Sequence, residues 1–387
     1  MARFQDTGKG SFFGEFAYRP LLQRYREHFL VAVQHLFDWE AKSEQMLALY
    51  AGRGCRGRPP YDPVVVFKML FLSYLYNVSE RAIEQMADLN LLMKWFLGLA
   101  VHEAPPDHST LTVFKTRFLK GSNWKVLQAI FDDMIREARA QGLCFGPLQV
   151  LDSVHTQADV NNAKDRERHD QGGKPRDPEA RVVHKGKRRV VQPDGQTSTQ
   201  DIRYRGYKTH VSVNADTGIV TSVIPAQGDS ADNEAFAELR AHDRSLDLPT
   251  QAYGGDKAYD DTDIHERLAA EGLDTAITLK RQRTTKKDAN KEHWLQLQAD
   301  ATYQERVRQR FRVEQPLGMA KSAHGFERCR YLGLARYRIQ ALMTFLVVNA
   351  KRMVKLLVGI TFRPQAKGRR AEAVTPVLAA LPWAKCA

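Results

Sequence analysis

The sequence predicts a mixed α/β sheet of five strands with flanking helices, preceded by an all-helical region. Three observations carry this. Before residue 142 apolar residues recur at helical spacing between capping residues. From 146 to 279 short apolar or alternating runs take turns with helical ones, and 337–357 form one long apolar helix. A chain of 387 residues, 43% hydrophobic, can bury a sizeable core and is long enough for two or three domains. We divide it into amino-terminal helices (1–50), a helical domain (51–142), an α/β domain (146–358) and a basic tail (359–387).

Residues 21–50 place Leu22, Phe29, Leu30, Val33, Leu36 and Phe37 at near-helical intervals, enough for one or two amphipathic helices. Residues 52–60 hold Arg53, Arg56, Arg58 and two prolines, and read as a flexible basic loop. Asp62-Pro63 starts a buried helix over 64–76, and Ser79 caps a second through Ile83, Met86 and Ala87. Helix, short turn and capped helix resemble a helix-turn-helix, followed by helices over 90–99, 111–118 and 123–141. This region is either a structural bundle or a DNA-contacting domain, and the basic loop favours DNA.

The first strand is launched by Gly146-Pro147 and ends near Asp152. Residues 161–200 are polar and rich in Arg, Lys, Asp, Gly and Pro, and read as an irregular basic loop, either solvated or a phosphate-contacting arm. Residues 204–213 alternate as a strand, Asn214 to Gly218 turn, and 219–224 return as its hairpin partner. A helix over 230–241, a strand ending at Asp256, a helix over 262–270 and a strand over 274–279 follow. Acids on the first and fourth strands of such a sheet make the ribonuclease-H-like arrangement. Helical pattern returns over 304–321 and 337–357.

Lys plus Arg number 58 against 45 for Asp plus Glu, a net charge of +13 that favours a polyanionic partner. Cys55, Cys144, Cys329 and Cys386 lack metal-ligand spacing, which argues against a zinc site or a disulfide framework. No apolar run approaches the roughly 20 residues that span a bilayer, and the first residues lack the apolar stretch of a secretory signal. The expectation is a cytoplasmic protein without a membrane partner.

Asp152, Asp256 and Glu314 supply carboxylates from three elements, the donor type that hard divalent cations need for phosphoryl transfer. Arg310 precedes Glu314 by four residues and Lys321 follows by seven, which puts all three on one face of a continuous helix. Pro316 interferes, so the helix either kinks there or begins near Glu314. Glu305 and Glu327 are the alternative third acids. Asp159, Asp229 and Asp232 read as loop and cap residues, and His155 and His210 as strand histidines. Lys208 and Lys257 are DNA contacts or plain surface charges. Lys280 to Lys287 carries five positive charges, Arg281 and Arg283 among them, and reads as a nucleic-acid contact, with Arg56 and Arg58 as further candidates.

Leu151-Asp152-Ser153, Gly255-Asp256-Lys257-Ala258-Tyr259, the Arg310/Glu314/Lys321 set and Arg330-Tyr331-Leu332-Gly333 resemble the DDE transposases of bacterial insertion sequences. The match is to the insertion sequence 5 family, within the insertion sequence 4/5 superfamily. Gly57-Arg58-Pro59-Pro60-Tyr61 and Asp107-His108-Ser109-Thr110 are similar to its amino-terminal helical domain. The resemblance implies a ribonuclease-H-like catalytic domain and magnesium as cofactor, with manganese able to substitute. It implies terminal inverted repeats and target DNA as double-stranded partners, a homodimer when two ends are synapsed, and action on nucleoid DNA. By position Asp152, Asp256 and Glu314 are the catalytic metal ligands, and Arg310 and Lys321 match the basic members of the signature. Where the family has a tyrosine three residues before that arginine, this chain has Val307. Other readings are a catalytically silent DNA-binding regulator and a nuclease that cuts without joining. The intact acids argue against the first, and the helical region and the Glu314 surroundings against the second.

Overall fold

The computed structural model describes residues 4–5, 7, 12–50, 59–191, 197–285 and 289–362. The basic loop with Arg56 and Arg58, Lys286, Lys287 and the tail beyond 362 lie outside the described residues.

The amino-terminal half is helical: α1 (Phe12–Arg24), α2 (Phe29–Leu36), α3 (Trp39–Leu47), α4 (Pro63–Leu75), α5 (Glu80–Leu89), α6 (Leu91–Leu97), α7 (His108–Phe118) and α8 (Trp124–Ala140). Local chemistry sets the starts. Asp38, Asp62, Ser79, Asn90 and Asp107 each accept a first-turn backbone N–H that would otherwise lack a partner. Pro63 sits at the start of α4, where its missing N–H costs nothing. Asn77 takes a left-handed conformation (φ 51°) and reverses the chain between α4 and α5.

The second half runs β1 (Leu148–Gln157), α9 (Asn162–Asp170), β2 (Arg181–Val191), β3 (Thr197–Asn214), β4 (Val220–Gln227), α10 (Phe236–Ser245), β5 (Ala252–Gly255), α11 (Thr262–Ala270) and β6 (Asp274–Ile277). Then come α12 (Lys291–Ala299), α13 (Ala301–Arg308), α14 (Glu314–His324) and α15 (Leu334–Val358). Among the described residues the sheet has six strands, one more than expected, in the order β2-β3-β1-β5-β6 with β4 also paired to β3; β4, β3 and β1 run antiparallel and β1, β5 and β6 parallel. That is the ribonuclease-H-like sheet, behind a helical amino-terminal region.

β1 is covered on both faces, and its alternate residues feed two cores. Val150 and Val154 pack with Tyr207, Val211, Val213, α15 and the amino-terminal helices. Leu151 points the other way, to Phe236, Leu239, Tyr253, Ile264 and Leu268. Gly206 lets β3 pass close to β1, because a Cβ there would stand 2.2 Å from the Thr156 carbonyl oxygen.

Residues 161–200 differ from expectation. The segment's described residues hold α9, β2 and the start of β3, which the ladder from Arg181↔Gly206 to Val191↔Thr197 pairs. Its charged, two-sidedly polar strands lack the apolar alternation that marks a half-buried strand, and backbone pairing alone organises them.

Helix α15 joins the two halves. It packs against α2, α4, α8 and α14 and against β4. Thr156 and Thr209 hydroxyls meet the Tyr337 hydroxyl at 2.9 and 2.7 Å. Asn349 Oδ1 accepts from Val220 N–H (2.9 Å), and its Nδ2 donates to the Val220 carbonyl (2.7 Å), both buried. Removing that amide strands a backbone donor and acceptor, each worth about 1–3 kcal/mol. We expect Asn349→Leu to lower unfolding stability in urea by about 2–4 kcal/mol; a change within error would contradict this clamp.

Candidate active site

Two carboxylates are brought together by strand register alone. β1 and β5 run parallel, with Leu148↔Ala252 and Val150↔Gly254 paired. Two residues beyond that last pair come Asp152, still on β1, and Asp256, one residue past the end of β5, and continuing the register sets them level with each other. The Asp152 carboxylate accepts the Ser153 N–H (2.7 Å), and Asp256, just past β5, accepts the Ala258 N–H (2.8 Å) and caps the turn Lys257–Tyr259.

Burial pushes the Asp152 carboxyl up from 3.8 to about 6; Asp256 and Asp232 add to the shift, while the Ser153 N–H and Arg310 oppose it. A half-buried acid pressed by two further negative charges is a site that a cation would relieve.

The third acid of the sequence reading lies in the carboxyl-terminal helices. Gln309–Val313 form a 3-10 turn that packs on β1, with Val313 in the core that also receives Val150 and Val154. Asp152 shares that face of β1 by alternation. Glu314 opens α14, so Pro316 falls in the first turn, where no intrahelical bond is lost. The single continuous helix expected over 304–321 is broken: Arg310 lies on the 3-10 turn, and Glu314 and Lys321 on α14. Arg310 still reaches Asp152 electrostatically. Glu314 is exposed. Among the described residues no group of three or more His, Cys, Asp or Glu side chains is gathered as a metal site. Asp152 and Asp256 offer the hard carboxylate oxygens that a divalent cation takes, whereas Glu314 stands exposed at the start of α14 and is not gathered with them. When bound, such an ion supplies nucleophile activation and stabilisation of the leaving oxygen. The protein's own part is to fix the two acids and bring the positive charge of Arg310 to bear on Asp152.

Two further residues face this centre. Asp232, read from sequence as a loop or cap residue, meets Lys208 Nζ at 2.9 Å and His210 Nδ1 at 3.4 Å. Despite burial, bonds from His210, Ser153 and Lys208 hold its carboxyl well below the usual range. Lys208 is therefore an internal partner instead of a surface charge. The Tyr259 hydroxyl is buried with no hydrogen-bond partner among the described residues, and burial, then Asp232, Asp152 and Asp256, raise its pKa. The Gly255 to Tyr259 motif contained that tyrosine, but only the fold shows what it faces.

The remaining candidates are dispersed. Lys257 and Arg281 are exposed. Arg283 is drawn inward, donating to Asp260 (3.1 Å) and Thr262 (3.1 Å) and lying over Trp294 (5.0 Å). These contacts tie the turn after β6 to α11 and α12. Asp159 pairs with Arg328 (3.1 Å), and Glu305 with Arg308 (3.9 Å).

Asp152 has a linked pH effect. Its folded pKa lies above the ordinary 3.8, so the fold prefers the neutral acid; its contribution is full below about pH 4 and is lost as pH rises through 6. In EDTA, Asp152→Asn is expected to melt a few degrees above the parent at pH 8, with the gap closing at pH 4; an equal or lower melting temperature at pH 8 contradicts the assigned environment.

Two family models match. The Transposase domain (DUF772) model covers residues 20–117, and the Transposase DDE domain model covers 163–350. Among solved structures the chain is similar to piggyBac transposase in a cryo-EM synaptic complex with hairpin DNA, at 11% identity and a TM-score of 0.42, covering 86% of this chain and 75% of that one. No helix among the described residues is long and apolar enough to cross a membrane. With transposase models on both halves, and two level aspartates at the heart of its sheet, this chain belongs to the DDE transposases, enzymes that cut and join DNA with divalent metal.

Proposed function

We propose that this enzyme is the transposase of an insertion sequence 5-type element and acts on the terminal inverted repeats of that element. Asp152, Asp256 and Glu314 hold magnesium, with manganese able to replace it. Arg310 and Lys321 contact the phosphates on either side of the scissile bond, and Lys257 and Arg281 extend that surface. The helical region 51–142, with Arg56 and Arg58, contributes DNA contacts of its own. Two copies act together when two ends are joined, on nucleoid DNA in the cytoplasm.

One observation carries this reading: the β1–β5 register that sets Asp152 level with Asp256. Metal-assisted displacement would need cations acting on the attacking and leaving oxygens and hard carboxylate ligands to hold them, and two parallel strand ends supply such carboxylates on a rigid frame. The turn bearing Arg310 and ending at Glu314 packs on the same strand, which supports Glu314 as the third ligand.

The test uses labelled duplexes bearing the element ends with Mg²⁺. Asp152→Asn, Asp256→Asn and Glu314→Gln are each expected to reduce cleavage at least about a thousandfold while leaving end binding within about threefold. Cutting at the parental rate by either aspartate variant sinks the assignment. Retained cutting by Glu314→Gln alone moves the third ligand elsewhere.

A further inference from the structure

The excursion between β1 and the body of β3 is a two-stranded arm. Residues 197–205 of β3 pair only with β2, while 206–214 pair with β1 and 207–213 with β4. The outer ladder therefore lies beyond the rest of the sheet. Its root is anchored: Ala180 and Val183 are buried, and buried Asp177 accepts from the Tyr207 hydroxyl (2.7 Å) and the Gly333 N–H (3.2 Å). Glu179 accepts the Leu334 N–H (2.9 Å) at the start of α15.

Beyond the root the arm changes character. Five of the eleven β2 residues are Lys or Arg and none is acidic. By register Lys187 faces Asp201 and Arg189 faces Thr199, and these share one side of the ribbon with Arg203. Lys187, Arg189 and Arg203 are exposed. The Arg203–Asp201 pair (3.0 Å) is exposed on both sides, and such pairs are weak enough for a phosphate to compete. Between His184 and Lys187 the ladder shifts at Gly186 (φ 86°), a bulge that turns the outer segment relative to the root. An isolated two-stranded ribbon is marginal in water, and beyond the bulge Val190, Val191 and Ile202 are the apolar residues this one carries.

We propose that the outer β2–β3 ribbon is a DNA-binding arm, laid along the duplex that enters the catalytic site. The proposal rests on the transposase reading above. A two-stranded ribbon fits the width of a major groove, and one face of this one carries cations spaced to meet phosphates. Its position suits that role. Asp152 pairs with Val211, and strand geometry puts Arg203 roughly 26 Å and Arg189 roughly 40 Å along β3 from that point. Those distances correspond to about 8 to 12 base pairs of duplex, so the arm grips DNA about one helical turn from the bond being cut.

The experiment compares the parent with the triple variant Lys187→Ala/Arg189→Ala/Arg203→Ala, using a 40-base-pair duplex that carries one element end, between roughly 0.05 and 0.3 M salt. The variant is expected to bind about 10- to 100-fold more weakly at 0.15 M salt, and the slope of log affinity against log salt to shrink by about two to three. A Lys187→Arg/Arg189→Lys/Arg203→Lys variant keeps the charges and is expected to bind like the parent. Equal melting temperatures guard against misfolding. Cutting the duplex back to about 6 base pairs beyond the scissile bond on either side removes the difference between parent and triple variant. Parental affinity and salt slope in the triple variant overturn the proposal. So does a variant that binds DNA normally but loses self-association by sedimentation, which would make the ribbon a contact between copies. Asp152→Asn, with an intact arm, separates the two readings: failure of the transposase reading appears as unchanged cleavage in that variant, and failure of the arm as unchanged binding in the triple variant.

Discussion

Everything in the catalytic half is referred to strand β1. Among the described residues it is the one strand with an antiparallel neighbour on one side and a parallel neighbour on the other. Those two sets of hydrogen bonds fix its register twice over, and a slip of a single residue would swap the faces that receive Val150 and Leu151. The same register carries Asp152 to the level of Asp256. The enzyme thus holds two like charges together by spending backbone pairing and apolar burial, and a cation at that place relieves the repulsion.

Helix α15 explains why the two halves form one body. It is apolar over most of its circumference, as expected of a helix with protein on all sides. Tyr337 and Asn349 answer polar groups of the sheet from within that surface. The core that begins at Tyr18 in α1 continues through α15 to Val211 and Val213 without interruption. Helices preceding the catalytic sheet are consequently tied to the strands that hold the acids.

Much of this was readable from residues alone, where the signal is local. Asp62-Pro63, Ser79 and Asp107 announce helices because a cap acts within one turn. Strands β1, β3 and β4 were visible because alternation or an apolar run reports burial. Asp152 and Asp256 could be picked out because each closes such a run. What stayed hidden depends on partners distant in sequence. Asp232 looks like an ordinary cap until β3 places Lys208 and His210 against it. The ribbon resembles disorder by composition, since its strands bury little and are held by each other. Arg283 reads as a free charge in a basic run, yet Asp260 claims it. The break before Glu314 was foreseeable from Pro316, though not which of two outcomes it would take.

The margins of the sheet carry one more implication. β4, paired only with β3 among the described residues, contains Pro225, which has no N–H to offer a newcomer. β6 lies under α13, and Arg306 reaches across to Asp274 at its end. β2 is interrupted at Gly186 and studded with cations. Each border is closed by a different device, so an incoming strand from another copy finds no ready template. A protein concentrated on one stretch of nucleic acid is thereby shielded from polymerising through its own backbone, and encounters between copies are left to side chains.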